Sequence, residues 1–334
     1  MKTLVIGAGG VGGWFGAQLA RAGLNVTIAA RGAHGRALRE QGLLVHTGEA
    51  SPARTPEGAL VGAAPGRVRF AHVVASADEL QERYDLILLA VKWPELEAAC
   101  DPLPNLLRYD GVVVPLLNGL TSEDVVAQYV GAQRTIAGVA YMSAGLLEPG
   151  SIYVHGHTRL GLAAYRPGQD GDVERVAALF ADAGVSVQQS PDYRALLWQK
   201  MVWNAPFNGI CALTQKPAGV CAEQLEPLVK RAMLEVIAVA AAEGVVLPAQ
   251  LADAMLRVTR EEFPLTEPSM LQDVKRGRPT EVDILQGEVV RRASALGLDV
   301  PVLASLAGLI RCLSGAPRAE PTFSPTSSSQ TTAS

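Results

Sequence analysis

The chain has 334 residues, 49% hydrophobic and 19% charged, with a net charge of −4 from 29 basic and 33 acidic residues. That length supports two packed cores. The acidic balance excludes a nucleic acid or an anionic membrane held by a global field, so an anionic substrate needs a local cationic pocket. Cys100, Cys211, Cys221 and Cys312 show no C-x-x-C spacing, which predicts free thiols in a reducing cytoplasm. No apolar run reaches membrane-span length; the alanine-rich Val236–Ala242 is too short. A strand already occupies the N-terminus, so no signal peptide is expected.

That strand, Leu4-Val5-Ile6, breaks into Gly7-Ala8-Gly9-Gly10-Val11-Gly12 and a small-residue helical run over Gly13–Ala22. The order carries specific physics. Gly7 permits a tight turn, Gly9 lets backbone approach a pyrophosphate, and Gly12 lets the helix pack close to the strand. The helix N-terminus then holds the anion with its free N–H groups. The alternative is a glycine-rich turn without a ligand. Asn25–Ala29 reads as the second strand and ends at Ala30-Arg31, with no Asp or Glu until Glu40. A fold specific for NAD places an acid there for the ribose 2′-hydroxyl. An arginine instead pairs with a 2′-phosphate, which favours NADP; an ordinary surface arginine is the alternative.

Residues 46–68 are rich in Gly, Ala and Pro and read as a loose excursion with one or two edge strands. Tyr84–Val91 is a second buried strand; it exits at Lys92-Trp93-Pro94, where Pro94 suits a first helical turn. Gly111–Leu117 is a third and ends at Asn118-Gly119; Pro115 inside it implies an edge or irregular position. Thr121 with Asp124 predicts a capping box. Three strand exits thus carry the glycine turn, Lys92 and Asn118, and ligands of open α/β sheets bind outside such carboxyl ends.

Short strands follow at Ile136–Ala140, Ser151–His155 and Arg159–Ala163, with turns at Pro149-Gly150 and Gly156. A helix at Asp170–Ala183 and a strand at Val185–Gln188 close an α/β domain at residues 1–189. Beyond it, Pro217, Pro227, Pro248, Pro264, Pro268, Pro279 and Pro301 cut residues 190–314 into a helical array. The Pro/Ser/Thr-rich tail, residues 315–334, reads as disordered.

Within Tyr193–Thr214, Lys200, Asn204 and Asn208 lie at i, i+4 and i+8 and share one helix face. A solvated polar stripe is the plain reading, but Trp198, Trp203 and Phe207 leave it little room. Buried, a lysine and two asparagines need partners. Pro206 should kink this helix. Farther on, Ser269–Asp273 and Arg276–Glu281 bracket a turn before a helix over Val282–Leu296. Glu281 at its start is either a cap favoured by the helix dipole or part of a site.

Taken together, GAGGVGG, Val91-Lys92, Leu117-Asn118-Gly119, Glu148–Ser151, Lys200…Asn204…Asn208 and SMLQDVKRGRPTE at Ser269–Glu281 resemble the ketopantoate reductase family over residues 1–313. The resemblance implies an α/β Rossmann-type N-terminal domain and an all-α C-terminal domain like that of 6-phosphogluconate dehydrogenase. It implies NADPH-dependent reduction of ketopantoate to pantoate in pantothenate biosynthesis, without a metal. Lys200 is the implied general acid and Glu281 the acid that contacts the nicotinamide end and organises the lysine. Asn118, Asn204, Asn208 and Ser269 are implied substrate contacts. Gly7, Ala8, Gly9, Gly10, Val11, Gly12, Arg31, Lys92, Asn118, Ala144 and Glu281 are implied contacts of NADP(H). Pro268 stands where the family pattern has an asparagine, and Trp93 follows Lys92. A dehydrogenase of another small 2-oxo or 3-hydroxy acid and a non-catalytic NADP(H) sensor are the alternatives. Family members are monomers or dimers, so a homodimer is open to this chain.

Overall fold

The computed structural model describes residues 1–48 and 67–314. Most of the predicted excursion, residues 49–66, and the tail predicted as disordered lie outside the described residues.

The N-terminal half opens with β1 (Lys2–Ile6), α1 (Gly10–Arg21), β2 (Asn25–Ala29), α2 (Gly32–Gln41), β3 (Leu44–Gly48), β4 (His72–Val74) and β5 (Tyr84–Leu89). Then come α3 (Leu96–Cys100), α4 (Leu103–Leu106), β6 (Leu107–Pro115), α5 (Ser122–Val130), β7 (Ile136–Glu148), β8 (Ser151–Ala164), α6 (Asp170–Asp182) and β9 (Ser186–Ser190). Five strands form a parallel sheet in the order β4-β2-β1-β5-β6. Leu4 and Val5 of β1 and Leu86–Leu89 of β5 are wholly buried, because apolar side chains pack on both faces of the sheet. One face packs on α1 and the second sheet, the other on α3, α4 and α5. This is the Rossmann-type arrangement expected. Pro115 ends β6 at the sheet's edge, where its missing N–H costs no ladder bond.

The second sheet corrects the sequence reading. The three short strands expected between residues 136 and 163 are two long ones, β7 and β8, paired antiparallel through the Pro149-Gly150 turn. Gly156 does not end a strand. It sits inside β8 with a φ of +73°, where the pairing register shifts between Tyr141 and Ser143. β3 and β9 add to β8 in parallel; residues 46–48 are the end of β3, an edge strand of the kind expected at the start of the excursion. The capping box at Thr121 does not form: its side chain makes no cap bond, and the Asp124 carboxylate accepts from Tyr165 Oη at 2.6 Å instead.

The helical half contains α7 (Tyr193–Thr214), α8 (Ala218–Gln224), α9 (Glu226–Ala242), α10 (Leu251–Glu261), α11 (Ser269–Lys275), α12 (Gln286–Ala295) and α13 (Pro301–Ser314). Prolines stand just before or within several first turns, as at Pro217, Pro227, Pro268 and Pro301. Pro206 lies inside an unbroken α7. The helical core takes in Leu120, Ala137, Val139 and Ala163, so α7 is seated on the second sheet and its polar face is held against the strand exits. The expected helix over 282–296 is shorter. It begins at Gln286, after a turn in which the Glu281 backbone carbonyl accepts from Leu285 N at 3.1 Å, while the Glu281 side chain is engaged by Asn118 rather than by that turn.

Candidate active site

The glycine turn is shaped by close approach. Gly7 has a φ of +101°, and a Cβ there would lie 2.5 Å from the Ala90 carbonyl oxygen. A Cβ on Gly12 would collide with the Gly7 carbonyl oxygen, which is how helix and strand come so close. At Gly10 it would lie 2.5 Å from the backbone nitrogen of Gly145, next to Ala144, so β7 walls the turn on one side. At Gly9 it would meet nothing within 4 Å. The backbone there faces open space, the cradle that a pyrophosphate requires. His34 fastens this turn: Gly150 N donates to Nδ1 at 2.9 Å and Nε2 donates to the Ala8 carbonyl at 2.9 Å. Burial lowers its pKa below the ordinary 6.5, against the pull of the Ala8 bond. Arg31 follows β2 as expected, and its guanidinium is paired with Glu95 in the turn after β5.

A second group gathers where the exits of β5 and β6 meet α7 and α11. Lys92 Nζ lies 3.0 Å from Asp273 Oδ2 and 3.7 Å from Glu281 Oε1. Burial works to lower the Lys92 pKa, but Glu281 and Asp273 outweigh it and the net change is upward. Asn118 Nδ2 donates to Glu281 Oε2 at 3.3 Å, and Asn204 Nδ2 donates to Asn118 Oδ1 at 3.3 Å. Asn208 Nδ2 donates to the Asn204 carbonyl at 3.0 Å. Asn208 Oδ1 accepts from Ser269 Oγ at 3.2 Å and from Met270 N at 2.9 Å. A continuous chain of bonds thus links Glu281, Asn118, Asn204, Asn208 and Ser269. Asn208 is only 2% exposed; its amide ties the start of α11 to α7.

Lys200 sits one turn before Asn204 and is half-buried, yet it makes no hydrogen bond or ion pair among the described residues. Burial lowers its pKa to about 8, although Glu281 and Glu123 pull it upward. Glu123, in the first turn of α5, is 1% exposed; Oε2 accepts from Ser122 Oγ at 2.9 Å, while Oε1 has no partner. Burial lifts its carboxyl to about 7. An unpaired, poorly solvated ammonium flanked by two carboxylates can hold a proton and release it to an acceptor placed beside it. The resemblance had not singled out Asp273, Glu123, His34 or Glu95. Asp273 stands within the SMLQD motif and Glu123 shortly after Asn118-Gly119; His34 and Glu95 carry no sequence signal. Among the predicted residues, the structure joins Lys92, Asn118, Asn204, Asn208, Ser269 and Glu281, with Lys200 in their electrostatic reach. Arg31 stands apart, with Glu95.

Two family models match the chain: ketopantoate reductase PanE/ApbA over residues 3–167 and ketopantoate reductase PanE/ApbA C terminal over residues 192–314. The 2-dehydropantoate 2-reductase of Pyrococcus abyssi is 30% identical, covering 93% of this chain and 97% of that protein. The crystal structure of a PanE/ApbA family ketopantoate reductase from Ralstonia eutropha JMP134 superposes with a TM-score of 0.80 at 32% identity, covering 94% of this chain and 99% of that one. A D-mandelate dehydrogenase in ternary complex with NADH and anilino(oxo)acetate superposes with a TM-score of 0.83 at 25% identity, covering 95% and 99%.

Proposed function

The chain belongs to the ketopantoate reductase family, oxidoreductases acting on a CH–OH group, and on that premise we propose that it reduces ketopantoate to pantoate with NADPH, Lys200 serving as general acid, as a step of pantothenate biosynthesis. The observation that supports this most is the unpaired Lys200 ammonium beside the bonded chain Glu281–Asn118–Asn204. The open cradle at Gly9 and the close approaches at Gly7, Gly10 and Gly12 fit a dinucleotide, which Gly7–Gly12, Ala144 and Lys92 would hold. When bound, the reduced nicotinamide supplies a hydride to the ketone carbon.

The chain's own residues do the rest. Lys200 holds a proton at Nζ, and its charge stabilises the carbonyl oxygen as negative charge develops there. A positioned acid of this kind contributes ~10²–10⁴-fold in rate. Asn118 and Asn204 fix the face that the carbonyl presents; Glu281 holds the Asn118 amide, which in turn holds that of Asn204. Ser269 Oγ is held by Asn208, so Asn208 serves the substrate by aiming the serine. Glu281 anchors Asn118, meets Lys92 and keeps Lys200 protonated through its field.

The test is loss of NADPH absorbance on addition of ketopantoate, with NADH run in parallel. Fast consumption with NADPH and slow consumption with NADH supports substrate and cofactor together. Absence of turnover while NADPH still binds refutes ketopantoate as substrate. The likeness to a D-mandelate dehydrogenase complexed with NADH favours one second reading, reduction of another 2-oxo acid. A panel that includes aryl 2-oxo acids decides between the two.

A further inference from the structure

β2 and β5 flank β1 on opposite sides, so their exits stand to either side of the glycine turn that leaves β1. Arg31 follows β2, and Glu95 lies in the turn after β5, 64 residues along. Their ion pair therefore bridges the β2 and β5 exits across the end of β1, beside the glycine turn. The two side chains are 71% and 46% exposed, and neither makes another hydrogen bond or ion pair among the described residues. Packing does not impose the contact. An exposed pair of this kind is worth little in stability and is easily exchanged for a better partner.

The chemistry at this spot is unusual in one respect. Where NAD-binding sheets place an acid after the second strand to bond the ribose 2′-hydroxyl, this chain has Ala30-Arg31. The carboxylate has not been lost from that edge: Glu95 brings one in from the other side of β1. A cation that reads a 2′-phosphate and an anion that suits a 2′-hydroxyl thus meet at one point.

We propose that Glu95 is a cofactor-discriminating residue that works against Arg31: its carboxylate holds the guanidinium across the adenosine end, opposes a 2′-phosphate by like charge, and accepts a hydrogen bond from the 2′-hydroxyl of a cofactor without the phosphate. The proposal rests on the reading of Arg31 as the 2′-phosphate contact. Arg31 sets the preference for NADPH and Glu95 limits it, so the chain retains usable affinity for NADH.

The experiment measures dissociation constants of NADPH, NADH and 2′,5′-ADP for the full chain and for Glu95→Gln and Arg31→Ala, by titrating protein fluorescence. At an exposed site a charge opposed to a phosphate is worth about threefold to tenfold. Glu95→Gln should tighten NADPH and 2′,5′-ADP by that factor and leave NADH unchanged or weaker. Arg31→Ala should weaken NADPH and 2′,5′-ADP by about tenfold or more, with NADH within twofold. If Glu95→Gln leaves the NADPH:NADH ratio within twofold of the parent while Arg31→Ala collapses it, the role of Glu95 is refuted and that of Arg31 stands. If Arg31→Ala leaves the ratio intact, the phosphate reading of Arg31 fails and this inference fails with it.

Discussion

Replacing Lys200 with methionine should make the protein more stable and nearly inactive at once. The lysine's pKa drops from its ordinary 10.5 to about 8 in the folded chain because burial penalises the ammonium more than Glu281 and Glu123 support it. At about 1.4 kcal/mol per pH unit, carrying that charge costs about 3 kcal/mol at neutral pH, and solvent reaching the half-buried side chain trims this to about 2 kcal/mol. Between pH 8 and pH 10.5 the unfolded chain binds the proton and the folded chain has lost it, so the parent's stability rises with pH across that window. The methionine variant lacks this dependence. Its advantage should be full below pH 8 and gone near pH 10.5. Melts at pH 7 and pH 10 read it directly, with a gain of several degrees expected at pH 7. Turnover should fall by ~10²-fold or more with NADPH binding kept. In the parent, turnover should decline as pH rises through about 8, because the acid must carry its proton. A lower melting temperature for the variant at pH 7 would show that the ammonium is well satisfied, and parent-like turnover would remove Lys200 as the acid.

Glu123 offers the mirror test. Its carboxyl is raised from 4.5 to about 7 by burial, so its ionisation works against folding as pH rises through that interval. Glu123→Gln should therefore resist urea better than the parent at pH 8, with the gain fading toward pH 4.5; equal stability at pH 8 argues that the carboxylate is fully compensated. Gly9→Ala places its Cβ in open space and should keep the melting temperature while weakening NADPH by about tenfold or more. Gly12→Ala drives its Cβ into the Gly7 carbonyl and should lower the melting temperature or prevent folding; equal behaviour of the two variants would contradict the cradle. His34→Ala removes two bonds that fasten the glycine turn, each worth about 1 kcal/mol. Both its melting temperature and its NADPH affinity should fall. In the parent, His34 should withdraw stability as pH drops below 6.5, because a protonated Nδ1 cannot accept from Gly150.

What local pattern specifies was legible in the sequence. The strand, glycine turn and helix over Lys2–Arg21 need only neighbours in sequence, and the i, i+4, i+8 spacing of Lys200, Asn204 and Asn208 places one face whatever surrounds it. What depends on distant partners was not legible. Pro149-Gly150 and Gly156 look alike as turn signals, and only the pairing of β7 with β8 makes one a hairpin and the other a bulge. Spacing alone left Glu281 open between a helix cap and a site residue, because the residues after it look helical; its partners, Asn118 and Lys92, lie more than 160 residues away. Asn208 shares a face with Lys200, yet its amide faces the start of α11. No spacing rule could say so.

The site's assignment of roles finally turns on how two lysines meet one glutamate. Lys92 and Lys200 both feel Glu281, but Lys92 has Asp273 within 3.0 Å and holds its proton more firmly than a free lysine. Lys200 has no bonded partner and holds its proton less firmly, near pH 8. A general acid works best when its proton is carried at working pH yet loosely enough to leave. On that ground we assign the acid's role to Lys200 rather than to Lys92, whose contacts tie the β5 exit to α11 and Glu281. Glu281 connects the two lysines: it is a partner of Lys92, the anchor of Asn118, and the nearby charge that keeps Lys200 protonated. Removing its charge in Glu281→Gln should therefore shift the basic limb of the turnover profile to lower pH as well as weaken substrate orientation. A profile that kept its midpoint while only KM rose would leave Glu281 as an anchor alone.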